Sequence, residues 1–272
     1  MKYEPRLPEH NHNVSHQRPG REFLSLAAAA VVLVLLVVWL SGVAVDWAVA
    51  KIDPATERQL LAQVSESIDW EDSGDAQLKQ HVEALLEPLL ACVEQPYAIQ
   101  VVIKDDPAPN AFAVPGGQMW VTTGLLESGL SANGLSFVLG HELGHFANRD
   151  HLRGLGRNLV LWVLSRTLLG GSSGLDRLLS PSLLLGEAQH SQRRESQADI
   201  TGLAALQCRY GHVGGATEFF ETLEKIHPDS LPGLHYFESH PQLRVRIDSL
   251  RSQAREKSLV FEAVTDFDAA DR

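Results

Sequence analysis

Residues 137–151 read FVLGHELGHFANRDH, and this stretch decides the fold. His141, Glu142 and His145 form the pattern HExxH inside a segment of strong helical character. Residues i and i+4 share one face of a helix, so both imidazoles can bind one Zn²⁺. The glutamate between them is offset from that face and reaches a water on the metal instead of the metal itself. The spacing therefore predicts a site for metal-assisted hydrolysis.

A catalytic zinc needs a third protein ligand, and one candidate is His151. It completes HExxHxxNxxH, which matches the metzincin pattern except that Asn148 stands in place of a glycine. Asparagine also adopts left-handed turns, so this mismatch alone does not reject the candidate. Metzincins place a methionine beneath the metal, downstream of the histidines, whereas Met1 and Met119 both lie upstream here. We therefore favour another ligand and expect His151 to be a polar residue in the loop after the helix.

The second candidate is Glu195, in the segment SQRRESQADITG, which is also predicted to be helical. Glu195 and Asp199 stand at i and i+4, so one carboxylate can bind the metal while the other accepts the free N–H of a ligand histidine. Two imidazoles and one carboxylate leave an open position for water, as hydrolysis requires. We predict one Zn²⁺ per chain, held by His141, His145 and Glu195.

These residues resemble the membrane-associated zinc endopeptidases that include the type I CAAX prenyl proteases and the bacterial HtpX-like proteases. The resemblance covers about residues 110–250 and rests on four motifs in order, whose spacing together is specific. They are Asn110-Ala111-Phe112-Ala113 with its Pro-Gly-Gly turn, Gly140-His141-Glu142-Leu143-Gly144-His145, Glu195-Ser196-Gln197-Ala198-Asp199, and Ser239-His240-Pro241.

The resemblance implies a role for each motif. Glu142 would be the general base, and Asp199 would support a ligand histidine. Asn110 would lie on or near the edge strand that receives substrate, together with Ala111 and Ala113. His240 would approach the metal from the far side, either to stabilise the oxyanion or to occupy the fourth position of the zinc in the resting enzyme.

Hydrophobic patterning predicts a mostly helical α+β fold with a small sheet and an edge hairpin, and the resemblance implies that this fold is gluzincin-like. The apolar residues of an amphipathic helix recur at helical spacing, and the strands are rich in β-branched and aromatic residues. We expect helices over residues 77–93 and 132–148, strands over residues 97–103, 111–114 and 118–122, and a turn at residues 115–117.

Composition excludes several classes of protein. The 272 residues carry 23 basic and 34 acidic side chains, a formal net charge of −11, which argues against nucleic acid as the main partner. With 44% hydrophobic residues the chain is not predominantly disordered. The chain has two cysteines, Cys92 and Cys208, which are too few for a disulfide scaffold. They could form one disulfide bond in an oxidising compartment.

Residues 23–45 contain no charged side chain and predict a transmembrane helix. About 20 apolar residues span a hydrocarbon core of roughly 30 Å. A cleavable signal remains the alternative, because Ala48-Val49-Ala50 offers a small-x-small pattern, although the apolar run exceeds a typical signal. Lys2, Arg6, Arg18 and Arg21 precede the run, so the arm before it is expected to be cytoplasmic.

Together, these features predict a bacterial inner-membrane protein with a single span and a periplasmic catalytic domain. Its segments are a cytoplasmic arm (1–22), an anchor or uncleaved signal (23–45), a stalk (46–75), a metallopeptidase domain (76–255) and a tail (256–272). We expect a zinc endopeptidase that cleaves envelope proteins, misfolded ones in particular. The alternatives are a chaperone-like binding module on the same fold and a prenyl-peptide protease.

Overall fold

The structure, a computed structural model, describes residues 19–65, 75–157, 160, 192–225 and 243–264. The chain divides into two compact units, Met1–Ala44 and Val45–Arg272. Most of the first unit's described residues belong to helix α1 (Pro19–Val49), whose stretch Gly20–Val49 is long and apolar enough to cross a membrane. A signal sequence passes the same test of length and composition, so both interpretations of this helix stay open.

The second unit is mostly helical and carries one small sheet. Its elements in chain order are α2 (Pro54–Ser65), α3 (Ala76–Leu90), β1 (Gln100–Lys104), β2 (Ala111–Val114), β3 (Gln118–Thr122), α4 (Thr123–Leu126), α5 (Ala132–Asn148), α6 (residues 150–157), α7 (Gln192–Tyr210), α8 (Glu218–Lys225) and α9 (Leu243–Glu256). The predicted α+β class, with a small sheet, an edge hairpin and one apolar helix before it, is confirmed.

The sheet has the strand order β1-β3-β2, so β2 is an edge strand. β2 and β3 are antiparallel around the Pro115-Gly116-Gly117 turn, and β1 is parallel to β3. Gly116 and Gly117 both have φ near 88°, a conformation that side chains with a Cβ rarely adopt. The two glycines therefore allow the backbone to make this tight turn between β2 and β3.

Short side chains bring α5 and α7 into close contact. A Cβ added at Gly144 would lie 2.9 Å from Ala198 Cα, and one added at Gly140 would lie 3.0 Å from Ala205 Cβ. The ring of Phe137 similarly occupies the space beside Gly202. Since van der Waals contact between carbon atoms is optimal at about 3.5–4.0 Å, only glycine allows this separation of the two helix backbones.

A disulfide links α7 to the segment that follows α3. Cys92 lies just after α3 and Cys208 lies near the end of α7, with their Cα atoms 5.9 Å apart. Buried side chains of α3, including Val82 and Leu89, join the same core as Leu206 of α7. The bridge and the core together hold α3 against the pair of helices that carries the predicted site.

Candidate metal centre and active site

Helix α5 presents two buried histidines on one face. His141 and His145 are 2% and 0% exposed, and their Nε2 atoms lie 3.0 Å apart. Ser131 begins the helix by accepting a hydrogen bond from the backbone N–H of Gly134, which satisfies one of the donors exposed at a helix start. The i, i+4 spacing of HExxH therefore produces the convergence of imidazoles that the sequence predicts.

Helix α7 contributes the third side chain, Glu195, which is also buried. Its Oε1 lies 3.4 Å from His145 Nε2, and its Oε2 lies 3.6 Å from His141 Nε2. In a tetrahedral site with metal–donor bonds of about 2.0–2.1 Å, neighbouring donors are about 3.3 Å apart. The three side chains form a group that could hold a metal ion, and their spacing fits one.

Each histidine has a carboxylate at its other ring nitrogen. Asp199 Oδ1 lies 3.0 Å from His141 Nδ1, and Asp150 Oδ2 lies 3.0 Å from His145 Nδ1. An acceptor at Nδ1 fixes the proton there and leaves the Nε2 lone pair for a metal. The two carboxylates therefore orient both rings with Nε2 toward Glu195, as metal binding requires.

Without a metal, the two imidazoles differ in charge. Burial, together with the nearby Arg246 guanidinium, lowers the pKa of His141 to about 3. Burial also acts to lower the pKa of His145, but hydrogen bonds to Asp150 and Glu195 outweigh it and raise this pKa to about 10. A proton thus resides on His145 between carboxylates, where a divalent cation would replace it on binding.

Arg246 of α9 is a site residue that sequence reasoning missed. Its Nη1 donates to Glu195 Oε2 at 2.8 Å, and its Nη2 and Nε donate to the two oxygens of Asp199 at 2.6 and 3.0 Å. Burial acts to raise the pKa of Asp199, but the charge of Arg246 leads the interactions that lower it below its ordinary value. Leu250 and Ala254 are buried four and eight residues after Arg246, so the period of α9 was a usable signal.

Asp150 was also missed. It follows Arg149, which ends α5 in the left-handed conformation with φ 54° and so redirects the chain toward His145. A buried ligand histidine needs an acceptor for its second N–H, and Asp150 is the first acidic residue after α5. That requirement was the signal available in the sequence.

Glu142 lies against the edge strand of the sheet. It is 1% exposed, and its Oε2 accepts a hydrogen bond of 2.9 Å from the backbone N–H of Ala113. Asn110 O accepts from Thr122 N, so the backbone groups of Asn110 face β3, whereas those of Ala111 and Ala113 face away from it. The unpaired side of β2 therefore lies beside HExxH.

The side chain of Asn110 is held close to this edge. Asn110 is 8% exposed, and its Oδ1 has no hydrogen-bond partner among the described residues. Its backbone N–H donates to Thr122 Oγ1 at 2.8 Å, which anchors the residue to β3. The backbone of Asn110 is therefore bonded to β3 and does not belong to the unpaired side of β2.

His151 lies away from the three metal-binding side chains. It is buried in helix α6, not in a loop as expected, because the chain resumes helical structure at residue 150. Its Nε2 contacts Glu57 Oε1 at 3.1 Å and Tyr97 Oη at 3.3 Å. His240, the remaining predicted site residue, lies outside the described residues.

Comparison with known proteins identifies the family of the chain. The chain is 31% identical over 169 residues to the metalloprotease LoiP of Escherichia coli, covering 58% of this chain and 63% of LoiP. It is 31% identical over 150 residues to the metalloprotease YcaL of the same organism, covering 53% of this chain and 58% of YcaL. The mitochondrial metalloendopeptidase OMA1 of Arabidopsis thaliana is 31% identical over 147 residues, with 54% of this chain and 30% of that protein covered.

The chain spans less than two thirds of the length of these curated relatives. The model of peptidase family M48 matches residues 72–254, which include α5, α7 and most of α9. The resemblance drawn from the four motifs is thereby confirmed, since the matched segment contains all of them. With its HExxH helix and buried glutamate inside the matched segment, the chain belongs to peptidase family M48.

Proposed function

We propose that this protein is a membrane-anchored zinc endopeptidase. The observation that carries the proposal is the position of Glu142, which lies between two metal-binding histidines and contacts the free edge of β2. This arrangement brings a base, a metal site and a strand-binding edge together. A binding module without catalysis has no need of the base at this position.

Zinc fits the donor set best. His141, His145 and Glu195 supply two neutral nitrogens and one carboxylate, the combination found in zinc peptidases with an open coordination position. A bound zinc ion would polarise the scissile carbonyl and lower the pKa of water in the site. The carboxylates at Nδ1 of each histidine increase ligand basicity and fix the ring orientation.

Glu142 acts as the general base of the reaction. Its carboxylate takes a proton from the attacking water and delivers it to the nitrogen of the leaving amine, so one side chain serves both steps. The hydrogen bond from Ala113 N–H holds the carboxylate toward the edge strand, where the scissile bond would lie. Burial of Glu142 excludes bulk water from this path.

Substrate binds as an added strand along the free side of β2. The backbone groups of Ala111 and the C=O of Ala113 would pair with an extended peptide, since the N–H of Ala113 donates to Glu142, and the Asn110 amide would bind the peptide backbone at one end. Pairing through the backbone tolerates varied side chains in the substrate. Such broad specificity suits the degradation of misfolded proteins.

His240 completes the proposed machinery from the segment before α9. In the sequence, Pro241 disfavours the α conformation at the preceding residue, His240. His240→Ala should lower turnover about 10²–10³-fold if the side chain stabilises the oxyanion, and should raise turnover if it closes the resting site.

The cellular location follows from α1 and the charge pattern. We assign the basic arm before α1 to the cytoplasm and the domain after it to the periplasm of a bacterium, where envelope proteins would be the substrates. The Cys92–Cys208 disulfide is consistent with an oxidising compartment. The described residues contain one candidate span, Gly20–Val49, and we therefore rank a prenyl-peptide activity lower.

The test compares the full-length protein with Glu142→Gln in detergent micelles. Cleavage of denatured casein should fall by at least about 10²-fold, while zinc stays near one per chain by elemental analysis. Glu83→Gln, on the exposed side of α3, is the matched control and should cleave at the wild-type rate. Undiminished cleavage by Glu142→Gln would contradict the catalytic role. Casein binding without cleavage by the wild type would favour the chaperone-like alternative.

A further inference from the structure

A second buried carboxylate lies outside the metal centre, in helix α2. Glu57 is 2% exposed, and its two oxygens contact groups from four parts of the second unit. Oε1 accepts from Gly116 N at 2.8 Å and lies 3.1 Å from His151 Nε2. Oε2 accepts from Tyr97 Oη at 2.7 Å and from Arg149 Nη2 at 3.0 Å.

Arg149 connects this cluster to the end of the zinc-site helix. It is the left-handed residue that terminates α5, and a non-glycine residue in that conformation requires support from its surroundings. Its Nη1 donates to the carbonyls of Val49, at 2.9 Å, and Ile52, so it caps the C-terminal end of α1. Its Nε donates to Tyr97 Oη at 3.0 Å. The guanidinium thus joins the segment after α1 to α5.

Gly116 connects the same cluster to the edge strand. It belongs to the turn after β2, three residues beyond Ala113, whose N–H contacts Glu142. The turn has two consecutive residues at φ near 88°, and β2 is only four residues long. A hydrogen bond at Gly116 N therefore restrains the end of the strand that lies beside the general base.

The cluster keeps its carboxylate ionised. Burial acts to raise the pKa of Glu57, but hydrogen bonding and charge from His151, with the bonds from Gly116 and Tyr97, lower it to about 2. A buried charge is tolerated where it is paired and hydrogen-bonded, and its loss leaves the donors unsatisfied. Removing this one charge would affect every element that the cluster joins.

We infer that Glu57 is a positioning residue for peptide hydrolysis: from the segment after the apolar helix, it holds the residue 115–117 turn and so sets the position of β2 relative to Glu142. This inference rests on the proposed function, because it assigns β2 to substrate binding. It gives α2 a role in the active site as well as in linking the domain to α1. A displaced edge binds an extended peptide less well, whereas the metal ligands on α5 and α7 are untouched.

The test measures KM and kcat separately for Glu57→Gln in the full-length protein, using a fluorogenic peptide that the wild type cleaves. We expect KM to rise about tenfold, the equivalent of one charge-assisted hydrogen bond, with kcat within about threefold of wild type. Zinc should stay at one per chain. A general loss of folded protein would lower kcat and leave KM unchanged, and that outcome would overturn the inference.

Two controls make the result specific. Tyr97→Phe removes a donor to Oε2 but leaves the Gly116 contact, so its KM should stay within about twofold of wild type. Equal KM increases for Tyr97→Phe and Glu57→Gln would contradict a role through the turn. Glu87→Gln, at an exposed position of α3, should match wild type in both constants.

If Glu57→Gln does not fold, Glu57→Asp keeps the charge for Arg149 while its shorter side chain lengthens the contact to Gly116 N. We then expect a KM increase of about threefold, and an unchanged KM would overturn the inference. Failure of the wild type to cleave any peptide contradicts the proposed function itself. Cleavage by the wild type with an unchanged KM in Glu57→Gln contradicts only the role of Glu57.

Discussion

The spacing of helices α5 and α7 can be tested by adding one methyl group between them. Gly140→Ala would place a Cβ 3.0 Å from Ala205 Cβ and 3.3 Å from the Cα of Gly202. Gly140 directly precedes His141, and Ala205 lies on the helix that carries Glu195. The substitution should therefore separate the helices at the metal centre.

The magnitude follows from two opposing effects. Alanine is favoured over glycine inside a helix by about 1 kcal/mol, whereas inserting a methyl group into a packed interface costs about 1–3 kcal/mol. We expect Gly140→Ala to lower the unfolding free energy by about 1 kcal/mol. Metal donors must hold their distances to within about 0.2 Å, so zinc affinity should fall further, by at least about tenfold.

The reverse change on the facing helix should rescue the variant. Ala205→Gly alone loses about 1 kcal/mol of helix propensity and about 0.8 kcal/mol of buried methyl group. In the double variant the propensity changes cancel, and the methyl group at position 140 occupies the space that Ala205 vacates. We expect the double variant to lie within about 1 kcal/mol of wild type, a coupling energy of about 2 kcal/mol.

Urea unfolding of the zinc-free protein gives the four free energies of this cycle, because zinc binding would add its own contribution to stability. Competition with a chromogenic chelator gives the zinc affinities. Additivity of the two single changes within about 0.5 kcal/mol would refute the argument that residues 140 and 205 share one space. Wild-type zinc affinity in Gly140→Ala would show that the helix separation does not control the metal donors.

Four further predictions test separate parts of the structure. Glu195→Ala should release zinc while His151→Ala retains it, by elemental analysis, because only Glu195 lies beside both ligand histidines. Arg246→Met should lower the free energy of unfolding, measured with urea, by about 3 kcal/mol, because it leaves two buried carboxylates without their cation. The lowered pKa of Glu57 stabilises the fold above pH 4.5, and this contribution disappears as pH falls toward about 2. Glu57→Gln should thus lower the free energy of unfolding by about 2 kcal/mol near neutral pH, and this difference from wild type should disappear below about pH 2. A reporter fused after Arg272 should be active only in the periplasm, and a cytoplasmic signal would reverse the proposed topology.

Local patterns in the sequence were sufficient for β2, β3 and the central helix, whereas β1 begins three residues later than predicted, at Gln100. The Pro-Gly-Gly turn fixes the hairpin, and β2 and β3 have the predicted bounds. Helix α5 also begins and ends where expected, at Ala132 and Asn148, because a serine cap precedes it and a left-handed residue follows it. The spacings HExxH and ExxxD likewise predict which side chains could bind one metal ion, and the structure brings His141, His145 and Glu195 together.

The supporting charges could not be predicted in the same way, because they depend on contacts distant in sequence. Arg246 reaches Asp199 across 47 residues, and Arg149 reaches Glu57 across 92. The helical period places Arg246 on the same face as Leu250 and Ala254, and its side chain is 6% exposed, whereas that of Arg244 is 89% exposed. The period thus indicates which arginine is buried, but it does not indicate which carboxylates that arginine contacts. Only the packing of α9 against α7 brings Arg246 to Glu195 and Asp199.

The choice between His151 and Glu195 depends on where the chain turns after α5. In the pattern HExxHxxNxxH a left-handed turn at Asn148 would present the next histidine to the metal, but the left-handed residue is Arg149, one position later. That shift brings Asp150 to His145 and directs His151 into the cluster around Glu57. The backbone strain at Arg149 is offset by the bonds of its guanidinium to Glu57, Tyr97 and the end of α1. The same buried cluster that we propose to restrain the substrate edge therefore also holds His151 apart from His141 and His145, and Glu195 completes the group that could hold a metal.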